Sequence, residues 1–287
     1  MARTRIGGIE GRPDNTDVAT LQYATDTNVT KALCRYADAA TQRAHYCTYI
    51  PSHYSSGNGT LKMRWRSPAV SLNGEVSVFY KALASGDDLT AVATIGAGTV
   101  NPTSDANTND WVEFTLSSTV TIAANRLLAW LFTRFGAAAG DTLNDVFDLL
   151  EFTIDYTHDQ TVQKGFRFIP ANAMVIPGAS GATRDRLTYT VAASARPHVI
   201  LLRDAQSDYA DCVFSVGSNY DGGGLSAILV LATITNAGNI RLRLDGARVA
   251  GGGATDPALT SGTAFDVTPA GANHLYIDTA GRTVSPA

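Results

Sequence analysis

Charge is what this 287-residue chain has little of: Asp, Glu, Lys and Arg make up 17% of it, against roughly 25% in an ordinary soluble domain. A surface so poorly supplied with charge is expected to be covered in part by a partner. Basic runs are missing too. The 22 Lys and Arg residues are outnumbered by 26 Asp and Glu, and the net charge is −4. With no stripe to follow a phosphate backbone, nucleic acid is not an expected partner. No stretch reaches the ~20 apolar residues of a membrane helix, so no membrane partner is expected. The opening MARTRIGGIEGRPDNTD lacks the apolar centre of a secretory signal, which points to synthesis in a cytoplasm.

Cysteine is scarce as well. Cys34, Cys47 and Cys212 show no Cys-x-x-Cys or Cys/His ligand spacing, and an odd count cannot pair fully within one chain. Buried free thiols are expected, Cys47 and Cys212 in equivalent core positions.

The usual signatures of chemistry are absent. His45, His53, His158, His198 and His274 are scattered with no HxH or HExxH spacing, and read as surface or turn residues. No Gly-x-Ser-x-Gly occurs. GGGATDP and YDGGGL have glycines but no following Lys-Ser/Thr, so they serve tight turns rather than phosphate. Asp14, Asp17 and Asp26 lack the spacing and terminal Glu of a calcium loop. No catalytic residue, metal or cofactor is therefore expected.

What the chain does have is alternation. In TLKMRWRS, Leu61, Met63 and Trp65 alternate with Lys62, Arg64 and Arg66, the period of a strand with one wet face. EVSVFYKAL sets Val76, Val78 and Tyr80 against Glu75, Ser77 and Lys81. EFTIDYT sets Phe152, Ile154 and Tyr156 against Glu151, Thr153 and Asp155, and NIRLRLDG repeats the pattern late in the chain. Gly- and Asn-rich turns separate these runs, which argues for a sandwich, barrel or jelly roll. Helix signals are confined to DTLNDVFDLL and VTKALCRYADAATQ.

Two segments echo one another. YCTYIPSHYSSGNGTLKMRW and DCVFSVGSNYDGGGLSAILV share a strand, a Tyr, a Gly-rich turn and a further strand. TIAANRLLAWLFTRFG is later matched by TPAGANHLYIDTAG. The expected organisation is an N-terminal arm (residues 1–40), a first β-sandwich module (41–157) and a second (166–287). The second has no counterpart of the strong strand at 147–156. Phe166–Pro177 or a neighbouring subunit is expected to cover the edge so exposed.

FIPANAM, YADCVFSVGSNYDGGGLSAILVLATITNAGNIRLRL and GDTLNDVFDLLEFTIDYT resemble a β-sandwich family of virion structural proteins in tailed bacteriophages. The resemblance spans Ala44 to Tyr156 and Phe166 to Asp278. It implies an all-β fold of two tandem, jelly-roll-like β-sandwich modules with an extended N-terminal arm, in a capsid decoration (cement) protein. Its partners would be the major capsid protein and further copies of itself, as a homotrimer on the outer surface of a phage head.

On that reading the contact residues are Arg3, Arg5 and Arg12 in the arm, with Lys62, Arg64 and Arg66 as a basic strand face. A rival reading is a receptor- or glycan-binding module of a phage tail or fibre using Tyr54 and Tyr220. Trp65 and Trp130 sit in apolar strand patterns and are expected in the core. A glycan-active enzyme would need two of Glu75, Glu113, Glu151 and Asp155 brought together.

Overall fold

Alternation decides where the strands fall. In β6 (Tyr54–Arg66), Leu61, Met63 and Trp65 are buried while Lys62 and Arg64 lie on the opposite face. β7 (Val76–Leu83) buries Val76, Val78 and Tyr80, and β11 (Phe147–His158) buries Phe152, Ile154 and Tyr156. The structure, a computed structural model, describes residues 2–7, 12–13, 19–25, 30–52, 54–89, 91, 94–158, 169, 174–178, 180–186, 198–203, 206–212, 225–232, 239–247, 260–268, 270–279 and 281–284. None of these is helical. Both segments with helix signals run as strand and turn, because each has a sheet neighbour to pair with: Phe147–Leu149 pairs with Cys34–Tyr36.

The chain divides into two units. The first comprises Met1–Ala82 and Ala93–Val213, the second Leu83–Val92 and Phe214–Ala287.

In the first unit one sheet runs β3 (Thr20–Thr25), β4 (Thr30–Tyr36), β11, β6, β9 (Val112–Thr121). β1 (Ala2–Gly7) pairs with β11 from Tyr156 to Glu151, continuing the line that β4 occupies from Leu149 to Phe147. The other sheet runs β2 (Arg12–Pro13), β5 (Thr41–Ile50), β10 (Arg126–Phe135), β7, β8 (Ile95–Val100). The pairings β4–β11, β5–β10, β6–β9 and β7–β8 are antiparallel and nested in chain order. That nesting is the two-sheet jelly roll the sequence led us to expect.

The N-terminal segment departs from the expectation of a separate arm. Residues 2–7 and 20–36 are strands of the first sheet and residues 12–13 of the second. β11 has strand length left over beyond β4, and unpaired backbone groups there would cost free energy.

Between the sheets lies an aromatic core. Trp65 stacks on Phe147 with centroids 4.2 Å apart, and Phe152 meets Tyr46 and Trp130 edge-on at 5.0 and 5.7 Å. Trp65 and Trp130 are thus core residues, as expected. One end is closed by Arg134, fully buried, whose guanidinium grips Asp141 and donates to the carbonyl oxygens of Tyr36, Leu143 and Asp145. All the planar donors of Arg134 that could be stranded there find acceptors.

The outer faces of the two sheets differ. On the second sheet His45, Cys47, Tyr49, Ser77, Lys81, Ala129, Leu131 and Thr133 are buried although they point away from the core. β13 (His198–Leu201), paired with β12 (Thr183–Arg186), packs against β5 and supplies part of this cover. His45 is therefore not the surface residue its isolation in sequence suggested. The first sheet keeps a wet outer face along β6 and β9, where Arg64, Glu113 and Thr115 are exposed, while outward Asp148, Thr153 and Asp155 of β11 are buried beside it.

In the second unit β14 (Leu225–Ala227) pairs with β19 (Arg282–Val284), β15 (Val230–Ala232) with β18 (Leu275–Ile277) and β16 (Ile240–Leu242) with β17 (Phe265–Val267). These ladders are nested in the same sense as those of the first unit. Asn125 and Asn273, matched in the sequence echo, both adopt positive φ (56° and 58°) just before β10 and β18, a conformation Asn tolerates better than most residues. The echo does not extend to pairing, however. β6 pairs with β11 and β9, whereas the two strands that fall opposite it in the echo, β14 and β15, pair with β19 and with β18, the latter the counterpart of β10.

The edge of β18 is covered from an unexpected place. Gly86 donates to the Leu275 carbonyl (2.6 Å), Leu275 to that of Asp87 (2.9 Å) and Leu89 to that of Asn273 (2.9 Å). The closing strand expected to be missing from the second module is present as the short β19, paired with β14, and the connection after β7 covers the start of β18 rather than the edge assigned to Phe166–Pro177. Within that stretch Val175 bridges Asp211 instead.

Candidate functional site

The wet face of the first sheet is built from cross-strand rows. Antiparallel register sets Arg64 of β6 between Glu151 of β11 and Glu113 of β9, and Lys62 between Thr153 and Thr115. One row further along, Asp148 stands between Arg35 of β4 and Arg66 of β6. Arg35, Arg64 and Arg66 each have an acidic cross-strand neighbour about one strand spacing away.

Contacts follow the register. The Lys62 ammonium lies 3.4 Å from Asp155 and 3.8 Å from Glu113. Arg35 holds Asp148 through two parallel hydrogen bonds of 2.7 and 2.8 Å, and that bond raises the Arg35 pKa still further. Arg66 reaches the same carboxylate at 3.8 Å and lies 4.8 Å over the Trp111 ring. Asp148 is 1% exposed, so this row is a rigid, largely desolvated floor to one end of the face. Beside it Lys62, Met63, Arg64, Glu113, Glu151 and Thr153 line a shallow depression.

Of the residues singled out in sequence, the structure brings together two groups that lie far apart in the chain. Arg3 and Arg5 occupy register positions opposite Asp155 and Thr153, across β11 from Thr60 and Lys62. Arg12 is elsewhere, opposite His45 in the other sheet. Arg66 is buried, so the basic trio is not an open positive patch: Lys62 and Arg66 are committed to carboxylates, and Arg64 alone of the three is exposed.

Tyr54 is tied into its own turn. Its hydroxyl donates to the Gly57 carbonyl and its ring lies 6.0 Å from that of Tyr156. Tyr220 lies outside the described residues. Glu113 and Glu151 flank Arg64 on the wet face, Asp155 is buried further along β11, and Glu75 lies just ahead of β7 of the other sheet.

Other ionisable clusters have structural roles. Cys34 lies beside the Tyr36 and Tyr46 hydroxyls, themselves 3.2 Å apart, and burial pushes its thiol up to about 11. Burial likewise raises Tyr36 well above the ordinary tyrosine range. Cys47 is buried, but its sequence counterpart Cys212 is exposed, so the two do not share a core position. Asp208 accepts from Arg203 and from the Gly181 amide (3.0 Å), and the guanidinium foremost holds its carboxyl well below the usual range. A Cβ on Gly181 would fall 1.6 Å from the Arg203 guanidinium, so a side chain there would push that group away from Asp208. No group of three or more His, Cys, Asp or Glu poised to hold a metal occurs among the described residues.

Asp148, Arg35, Trp111 and Thr153 were missed in sequence. The available signal was the outward parity of Glu151, Thr153 and Asp155, which continues back to Asp148 only across a bulge between Leu149 and Glu151.

No known family profile matches the chain, and no curated protein matches it in sequence. Among solved structures it is similar to a carbohydrate-binding module (CBM6cm-2) of Cellvibrio mixtus lichenase 5A, in complex with cellotriose. Identity is 18%, the TM-score is 0.36, and the match covers 54% of this chain and 98% of that one. A CBM36-1 domain of a multidomain xylanase from the hindgut metagenome of Trinervitermes trinervoides matches at 11% identity and TM-score 0.34, over 55% of this chain and all of that one. The family 11 module of Clostridium thermocellum, in complex with a β-1,3-1,4-mixed-linked tetrasaccharide, matches at 11% and 0.33, over 55% and 98%. At TM-scores this low the likenesses bear on neither ligand nor site.

Proposed function

We propose that this chain is a non-catalytic β-sandwich binding module whose wet sheet face takes an uncharged polar polymer, a glycan displayed on a cell or particle surface. The supporting observation is the row Glu151, Arg64, Glu113 with Lys62 and Thr153 beside it, on an open and shallow surface. A sugar hydroxyl both donates and accepts. It is matched by a face where carboxylate acceptors and cationic donors alternate at one strand spacing. Because much of the face is held by its own ion pairs, little ordering is left to be lost on binding. A phosphate polymer would instead want unopposed cations.

The test is a screen of the intact chain against neutral and acidic glycans, followed by titration of each hit with wild type, Arg64→Ala and Glu113→Gln. Neutral-glycan binding that weakens tenfold or more in both variants, with little dependence on salt, is expected. Binding that both variants retain removes the face from the account.

The narrower placement on a virion is supported by the resemblance of Phe168–Met174 and the strand motifs to phage structural proteins, and by the jelly roll, an architecture of capsid and lectin domains alike. In that setting the module sits on a tail or fibre as a receptor reader. Alternatively it sits on the outer head surface against the major capsid protein, as a homotrimer. Co-sedimentation with expanded, undecorated capsids separates these: saturable binding selects the head, and its absence together with glycan binding selects the tail.

A further inference from the structure

Sheet edges expose unpaired N–H and C=O groups, and proteins blunt them with charge, proline, bulges or cover. The first unit does this at almost every turn. β1 carries Arg3 and Arg5, and β2 is two residues long and ends in Pro13. β12 reads TRDR, with three charges in four residues. β8 has a register shift opposite Ser77–Phe79 and a positive-φ glycine, Gly98, and it packs beside β9, so those two edges shelter one another.

β3 has none of these devices. Thr20-Leu-Gln-Tyr-Ala-Thr25 contains no charge and no proline, and it pairs with β4 through six consecutive residues without a register shift. It is the last strand of its sheet, and among the described residues no backbone hydrogen bond reaches its outer side. Leu21 is 45% exposed there.

We propose that β3 pairs antiparallel with β3 of a second copy, joining the two first sheets into one. The edge is self-complementary: an uncharged strand meets its own image with no like charges opposed. A two-fold axis through Gln22 sets Leu21 in register with Tyr23 of the other copy and Gln22 with itself, pairings of the sort that stabilise sheets. The ladder is short, so the dimer is weak and depends on concentration.

The experiment is sedimentation velocity of the full chain from about 1 µM to 1 mM, for wild type, Leu21→Lys and Gln22→Lys. Thermal melting confirms that the variants fold. A wild-type dimer weakened at least tenfold by either lysine is the expected result. In a Cys212→Ser background, Gln22→Cys is expected to form an interchain disulfide under mild oxidation. A wild type that stays monomeric throughout, an assembly that both lysines leave intact, or an odd-numbered assembly would overturn the proposal.

Discussion

The two sheets of the first unit are made of similar sequence and meet different fates. β6 and β7 both alternate apolar and polar residues, yet the outward Lys62 and Arg64 of β6 face solvent while the outward Ser77 and Lys81 of β7 are buried. A polar residue at an outward position states which face it is on, not whether that face is wet. Burial on both sides makes the β5–β10–β7 sheet the mechanical half of the module. The open, charge-paired side at β6 and β9 is the half proposed to meet a ligand.

The largest effect comes from putting the same charge on each half. Ala129 in β10 is fully buried on an outward position, and Ala129→Lys should destabilise the protein by about 5 kcal/mol, since an unpaired charge must be buried or the cover displaced. Thr115→Lys, on the exposed face, should change stability by less than about 0.5 kcal/mol. Chemical denaturation of the two variants reads this directly. Equal effects would erase the distinction between the faces.

Next in size is Arg134→Met, which leaves Asp141 buried without its partner and three carbonyl groups without a donor. We expect a loss of about 3 kcal/mol, against less than about 1 kcal/mol for breaking the Lys62–Glu113 pair by Glu113→Gln at the open face.

Smaller, and chemical rather than energetic, is thiol reactivity. At pH 8 one equivalent of a thiol reagent should react with the native protein, at Cys212, and three after unfolding. Cys34 stays protonated there because its folded value of about 11 lies above its unfolded one. Its contribution to stability is therefore intact at pH 8 and is lost as pH rises from the unfolded value towards 11.

The smallest effect is local. The lowered carboxyl of Asp208 stabilises the Gly181–Arg203 tie above about pH 4 and stops doing so as pH falls below the usual carboxylate range. Hydrogen exchange at Gly181 and Arg203, corrected for intrinsic rate, should speed up at pH 2 relative to pH 5.

Much of the fold was legible because period-two burial is a local property. Leu61, Met63 and Trp65 had only one side of a sheet to occupy, and Gly- or Asn-rich turns marked where each strand stopped. The site was legible only in part. Lys62 and Arg64 were visible as an outward cationic pair. Their placement beside Glu113, Glu151 and Asp155 depends on register between strands up to about ninety residues apart, which no local pattern encodes. The N-terminal segment misled for a related reason: ARTRIG looks like a solvated arm until β11 offers it an edge. The echo between the halves misled as well. It preserved a turn, Asn125 and Asn273, but not the partners of the strands around it.

The central claim is that the β11–β6–β9 face binds ligand and the β5–β10–β7 face does not. Hydroxyl-radical footprinting of the intact protein, with and without a neutral glycan hit, tests it most directly. The account predicts protection at Arg64 and Trp111, which lie on the wet face. Protection that leaves Arg64 and Trp111 unchanged and falls on another surface would contradict it.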